Sequence, residues 1–341
     1  MTLIDVFQRE IAIIRAHYNG VLDGECASIH DARIATRRTR EVLPLTHQWQ
    51  RREHADQLYE TVKRMGRSLG RVRDVDVRIQ LLRYLEARIP HAAPSIVLVR
   101  QRDEHQRLLL MRKLVKRFER LGVQRELVNV AALVPRRRPS IWAARLGPWR
   151  EQLRRSIDAR ATSAADAITH ATGVYFPKRV HAARIEIKKL RYATEIAVET
   201  GVIGGVASLR TLKKSQDLLG DLHDRQALID ELRDAATADA RIDPTHIALV
   251  EQVVAADIAD RHARFLERRA QLHAAAEAIR AELWRPTTAV RAAAVAGAIA
   301  VITGLEARRR WRAGHRPAEP EARDAEVAVR VPIVLHRPIG R

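Results

Sequence analysis

Along most of the chain, apolar residues recur every three to four positions among charged ones, the pattern of helices with one buried face. The opening segment is typical: Ile4, Phe7, Ile11, Ile14 and Tyr18 keep the helical period, separated by Asp5, Gln8, Arg9, Glu10 and Arg15. Long proline-free runs at 45–89, 95–134, 178–243 and 245–285 are rich in Ala, Leu, Arg and Glu, and period-two alternation of β-branched residues is scarce. Breaks are expected at Asn19–Gly20, Pro90–Pro94, Pro135–Pro139, Gly173–Pro177, Gly201–Gly205, Asp243–Pro244 and Pro286. The pattern predicts an all-α chain of two helical bundles, with roughly four main helices each. The divide between them falls at Val134 to Pro139, giving halves 1–134 and 140–312 of one 1–312 domain. Beyond it, a Pro- and charge-rich tail at 313–341 is expected to be loosely held, with Val327–Leu335 its one candidate extended piece. Ala292–Thr303 is apolar but too short to span a bilayer, and reads as a tightly packed core helix.

Two segments repeat an unusual row of cations. His30-Asp31-Ala32-Arg33-Ile34-Ala35-Thr36-Arg37-Arg38-Thr39-Arg40 is matched by His181-Ala182-Ala183-Arg184-Ile185-Glu186-Ile187-Lys188-Lys189-Leu190-Arg191. At about 100° per helical residue, offsets 0, 3, 7 and 10 fall at roughly 0°, 300°, 340° and 280°. His30, Arg33, Arg37 and Arg40 therefore share one stripe about 15 Å long, as do His181, Arg184, Lys188 and Arg191. Stacking like charge this way is unfavourable unless an anion lies along it. A second pair of motifs, Leu69-Gly70 to Asp74-Val75-Asp76 and Leu219-Gly220 to Asp224-Arg225-Gln226, keeps the separation of the rows to within one residue. Two motifs in register imply related halves arranged about a pseudo-two-fold.

Charge narrows the class of partner. Among 341 residues, Lys plus Arg outnumber Asp plus Glu by 61 to 41, a formal charge of +20. Such a field attracts nucleic acid, polyphosphate or an anionic membrane surface. Much of the excess is Arg, the better residue for bidentate grips on phosphate. Cys26 stands alone, so neither a disulfide framework nor an all-Cys metal site can form within the chain. The first residues lack a basic leader, which places the protein in the cytoplasm as an expectation.

The His-led rows, the Leu-Gly-x-x-x-Asp motif, the run Lys188 to Tyr192 and the segment Gln216 to Gly220 together resemble the CHAD family, the conserved-histidine α-helical domains. The resemblance spans roughly residues 3–312. It implies a two-bundle, pseudo-symmetric helical fold whose basic central surface binds inorganic polyphosphate, and a location on polyphosphate granules. Members occur alone or fused to a triphosphate-hydrolysing barrel. No Glu-x-Glu-x-Lys strand of that barrel occurs here: Arg184 stands where the first Glu of Arg184-Ile185-Glu186-Ile187-Lys188 would be.

The residues lead to the same ligand separately. A phosphate chain presents charge at short intervals, so its complement is a groove of fixed cations without base-reading pockets. Both rows must then face one ligand path. Arg33, Arg37, Arg40, Arg184 and Arg191 are candidate phosphate clamps and Lys188 a mobile point charge. Arg38 and Lys189, near 80° on their wheels (roughly), reach only the groove edge. Arg71, Arg73, Lys213 and Lys214, with Arg64 and Arg67, extend the positive surface. His30 and His181 serve either as structural hydrogen-bonding groups or as donors recruited when a polyanion raises their pKa, in which case binding tightens toward pH 6 (about). Asp74, Asp76 and Asp224 are read as ion-pair partners orienting Arg71, Arg73 and Arg225 rather than as metal ligands, and Tyr192 as packed beneath its row.

Two rivals come from other classes. Nonspecific nucleic-acid binding fits the charge, with Arg136–Arg138 and Arg308–Arg310 as arms, but only 4% of residues are aromatic, too few for a stacking platform. A metal-dependent phosphohydrolase would use His181, His223-Asp224 and Asp257 or Asp260. The cations sharing the stripe of His181 would repel a divalent ion, and Arg73 replaces His223 in the first half. The reading is a non-catalytic binding protein with no cofactor or metal and no membrane partner. The sequence leaves its oligomeric state open.

Overall fold

Helix starts are written into the sequence. Thr2 caps the first helix, its hydroxyl accepting from the Asp5 amide at 3.2 Å while the Asp5 carboxylate accepts from the Thr2 amide at 2.8 Å. Pro148, Pro177 and Pro244 each open a helix at a position where the missing N–H is not needed.

A computed structural model describes residues 1–46, 52–133, 147–171, 173–204 and 206–284. Among them are ten α-helices and no strand. The first six are α1 (Leu3–Ala16), α2 (Tyr18–Leu22), α3 (Cys26–Val42), α4 (Arg52–Arg88), α5 (Ala93–Arg120) and α6 (Val123–Leu133). The others are α7 (Pro148–His170), α8 (Pro177–Glu199), α9 (Val206–Ala238) and α10 (Pro244–Leu283). The all-α expectation holds. The break expected at Asn19–Gly20 lies inside α2, the chain turning at Asp23–Glu25 instead. The run 95–134 divides into α5 and α6 because Gly122 takes φ of 57°, a backbone state that ends a helix. The divide at 134–139, the stretch Ala292–Thr303, the tail at 313–341 and the arginine arms at 136–138 and 308–310 lie outside the described residues.

In the first group, α3 packs on α1 and α4, α4 on α5, and α6 on α5 and α1. In the second, α7, α8, α9 and α10 close a ring in which each packs on the next and α10 returns to α7. Each cation row thus sits on a helix that packs against the helix carrying the Leu-Gly motif, which in turn packs against a third long helix. The groups meet where α3 and α1 touch α8, α4 touches α9 and α5 touches α10. The buried side chains are continuous, from Phe7, Leu58 and Leu69 to Ile187, Leu219 and Phe265. At roughly 2 kcal/mol for each large apolar side chain removed from water, this core fixes the rows' positions despite their mutual repulsion.

Candidate functional site

The apolar faces of the row helices decide where the cations point. On α3, Ile29, Ala32, Ala35 and Val42 are buried; on α8, Val180, Ala183, Ile187 and Leu190. Arg33, Arg37 and Arg40, and Arg184, Lys188 and Arg191, lie between these, half-buried on the helices that meet at the α3–α8 seam. Arg33, Arg37 and Arg40 of α3, Arg67 and Arg71 of α4 and Lys188 of α8 line one open depression of about 350 Å³, with Asp74 its only carboxylate among the described residues. Six cations to one acid is the composition of an anion site. Gly66 and Gly70 line the same wall; a Cβ at Gly66 would stand a tight 3.1 Å from the Thr36 hydroxyl of α3, whereas one at Gly70 would meet Arg33 Nε at an ordinary 3.5 Å.

Within this trough the cations differ in what holds them. Arg33 donates to Asp74 at 3.1 Å. Among the described residues, Arg37 and Lys188, and Arg184, which does not line the depression but is electrostatically coupled to both, make no hydrogen bond or ion pair, although all three are half-buried. Arg40 packs its guanidinium 5.8 Å from the Tyr59 ring, and its buried Nε finds no acceptor. The field of this cluster is legible in its pKa shifts. Lys188 is drawn down to about 7, by burial first and then by Arg37, Arg184 and Arg33. Arg33 is lowered to about 10 by burial and Arg37, and Arg184 is lowered by burial and Arg37 with Asp224 opposing. Both arginines stay charged at neutral pH.

The histidines lie in the same field. His181 Nδ1 stands 3.3 Å from His223 Nδ1, the rings 4.6 Å apart, so one nitrogen carries a proton and the other accepts it. Burial and Arg184 push His223 down to about 4 and also lower His181. His30 is exposed, and its pKa is lowered by partial burial and by Arg73.

Other residues expected at the site are placed elsewhere. Arg38 turns away into a carboxylate cluster, bonding Glu10 at 2.9 Å, Glu195 at 2.8 Å and Glu199 at 2.7 Å, with Arg9 bridging Glu10 and Glu199. Lys189 is exposed and pairs with Glu186 at 2.7 Å. Arg191 donates to Gln216 at 2.8 Å and to Glu195, its guanidinium 4.3 Å above the ring of buried Tyr192. Lys213 and Lys214 are exposed on α9 and, like Arg73, do not line the depression.

The ion pairs also differ from those expected of sequence neighbours. Asp74 holds Arg33, Asp76 holds Arg107 of α5, and Arg225 pairs with Asp257 at 3.2 Å. Asp224 makes no ion pair among the described residues, and burial raises its pKa against the pull of Arg184. Asp257 is also held by Arg88 at 3.2 Å, so it is engaged with α4 and α9 guanidiniums rather than gathered with His181. Among the described residues no three His, Cys, Asp or Glu side chains come together as a metal site.

A family model for the CHAD domain matches residues 5–233, about two thirds of the chain. The chain belongs to the CHAD domain family. The match takes in both rows, both Leu-Gly motifs and α1 to the greater part of α9. The fold agrees. A crystal structure of the CHAD domain from the plant Ricinus communis is 18% identical with a TM-score of 0.51, over 82% of this chain and 90% of that one. PptA from Streptomyces chartreusis is 16% identical with a TM-score of 0.53, over 80% of this CHAD protein and 97% of its own chain. Comparison with curated proteins finds no match. No helix among the described residues is long and apolar enough to cross a membrane.

Proposed function

We propose that this CHAD protein binds inorganic polyphosphate, without catalysis, in the trough between α3, α4 and α8, and that it does so in the cytoplasm on polyphosphate granules. The family is linked in general to polyphosphate binding. The observation that carries the reading is the half-buried set Arg37, Arg184 and Lys188, coupled to one another yet without ion-pair partners among the described residues. Half-buried cations crowded together without ion pairs cost stability in the free protein, and a phosphate chain supplies the oxygens that would offset this on binding. Among the described residues no aromatic side chain lines the trough, which favours a bare phosphate chain over stacked bases.

Calorimetric titration with polyphosphates of graded length, against single-stranded RNA of equal charge, tests this. Polyphosphate binds and displaces RNA readily; the reverse exchange is poor. For about six contacted phosphates the log-log salt slope approaches −4, at roughly 0.7 per charge. Charge reversal at Arg37 and Lys188 together abolishes binding with helicity intact, while Arg155→Glu, on an exposed arginine of α7, changes little. Undiminished affinity in the double variant refutes the assignment. Mn²⁺- or Mg²⁺-dependent hydrolysis of tripolyphosphate would replace it with the enzyme reading.

A further inference from the structure

The cationic surface does not end at the trough. Arg71, exposed on α4, lines two depressions: the trough, beside Arg67 and Gly70, and a second of about 140 Å³, beside Ser68, that is walled by α5. There α5 contributes Lys113, Lys116, Arg117 and Arg120 above buried Leu114. Positions 113, 116, 117 and 120 follow the helical repeat, so four cations share one face over roughly 10 Å. All four are exposed, and neither they nor Arg71 form an ion pair among the described residues.

The earlier part of the same helix behaves differently. Arg100 pairs with Glu86 and Glu104, Arg102 approaches Glu231, and Arg107 holds Asp76. Neutralisation is thus the rule on α5 through Arg107; from Arg112 onward none of its basic residues forms an ion pair among the described residues, and four of them face Arg71. Arg117 and Arg120 have a local reason to be basic, the negative end of the helix dipole. Lys113 and Lys116 lie a turn or more before that end, and like charges at this spacing repel by a few tenths of a kcal/mol (about) per pair. Nothing aromatic lines this depression either.

We propose that a linear polyphosphate chain, having filled the trough, passes over Arg71 and continues along this face of α5, so that long chains engage two joined subsites. The inference rests on the polyphosphate reading above and adds the exit path and the basis of length selection. Short chains fill the trough alone. Longer chains gain contacts without a second association step, because the next phosphates are already held near the α5 face.

The test compares the wild type with a variant carrying Lys113→Gln, Lys116→Gln, Arg117→Gln and Arg120→Gln, exposed positions where Gln keeps helix propensity. Both are titrated with tripolyphosphate, a long-chain polyphosphate and single-stranded RNA over a salt series. Tripolyphosphate affinity stays within about twofold, while long-chain affinity falls at least about tenfold and its salt slope decreases by about 3, four contacts at roughly 0.7 each. An unchanged long-chain slope overturns the exit path. Equal weakening of both lengths overturns it too, since that is the signature of a general field. Loss confined to RNA reassigns the face to nucleic acid. If the wild type binds neither polyphosphate, the trough reading itself fails, and this inference with it.

Discussion

The two cation rows share a sequence pattern and have different surroundings. On α3 the stripe residues Arg37 and Arg40 reach the trough without an ion pair among the described residues, and the off-stripe Arg38 is consumed in a carboxylate cluster supplied by α1 and α8. On α8 the relation inverts at the row's end: the stripe residue Arg191 is held by Glu195 and Gln216, and the off-stripe Lys189 reaches solvent. Glu195 serves both rows, since Arg38 and Arg191 each bind one of its oxygens. The shared pattern thus comes with a cationic face on both helices but with different partners for its members. The α3 row supplies Arg33, Arg37 and Arg40 to the depression; the α8 helix supplies Lys188 and the carboxylates Glu195 and Glu199 that hold Arg38.

That comparison breaks most visibly at matched positions 38 and 189. Arg38 is mostly buried, and three glutamates accept from it, one of them, Glu10, almost fully buried. Arg38→Met leaves these carboxylates under-compensated and destabilises the fold by about 3–5 kcal/mol, as for other buried pairs broken on one side. Lys189→Met, on an exposed surface pair, changes stability by less than about 0.5 kcal/mol. Chemical denaturation of the two variants measures both. Similar losses at the two sites would mean the rows are anchored symmetrically and that the contacts of Arg38 carry no special weight.

The sharpest functional difference is pH dependence through Lys188. Its charge is opposed by burial and by Arg37, Arg184 and Arg33, with Asp74 in its favour, which draws its pKa down to about 7. The folded pKa lies below the ordinary lysine value, so the charge opposes folding in full below about 7, and that penalty is lifted progressively as pH rises from about 7 toward the ordinary lysine value. A bound polyanion favours the charged form, so binding takes up a proton. Affinity for tripolyphosphate falls up to about tenfold per pH unit above neutrality until the bound-state pKa is passed. Lys188→Arg removes this slope because guanidinium does not titrate there. Titrations in two buffers of different ionisation enthalpy report the proton directly. A pH-independent wild type would place the ligand away from Lys188. The histidine contribution lies lower: His30 and His181 are held below their ordinary value and His223 near 4 (about 4). Only a ligand strong enough to overcome the arginines recruits them.

The rows, the helical class and the association of each row with a Leu-Gly motif were legible because they depend on local periodicity and on a repeat. What the helical wheel left open was the occupant of each neighbouring face. It put Arg38 off the stripe, but the meeting of Glu10, Glu195 and Glu199 there depends on how three helices pack. Likewise Asp76 finds Arg107 across α5 rather than the arginine beside it in sequence. The α5 face carried its own signal, the basic spacing 113, 116, 117, 120. Its significance emerges only where Arg71 joins it to the trough.

The smallest effect separates the two motif helices. Positions 66 and 70 of α4 correspond, at a shift of 150, to Gln216 and Gly220 of α9. On α4 both glycines face α3, and Thr36, buried and hydrogen-bonded to the Arg33 carbonyl at 2.8 Å, leaves no slack at Gly66. On α9 the first of the two is a glutamine that binds Arg191, and a Cβ at Gly220 would meet nothing within 4 Å. Gly220→Ala therefore gains the full helix-propensity difference, about 0.8–1 kcal/mol, and moves the denaturation midpoint upward at unchanged slope. Gly66→Ala makes the same propensity gain but must displace the Thr36 hydroxyl from a 3.1 Å contact, so its midpoint stays level or falls. Equal gains at both positions would show that α3 has room to spare against α4. The close approach that brings Arg33 and Arg37 to the trough wall would then owe nothing to glycine.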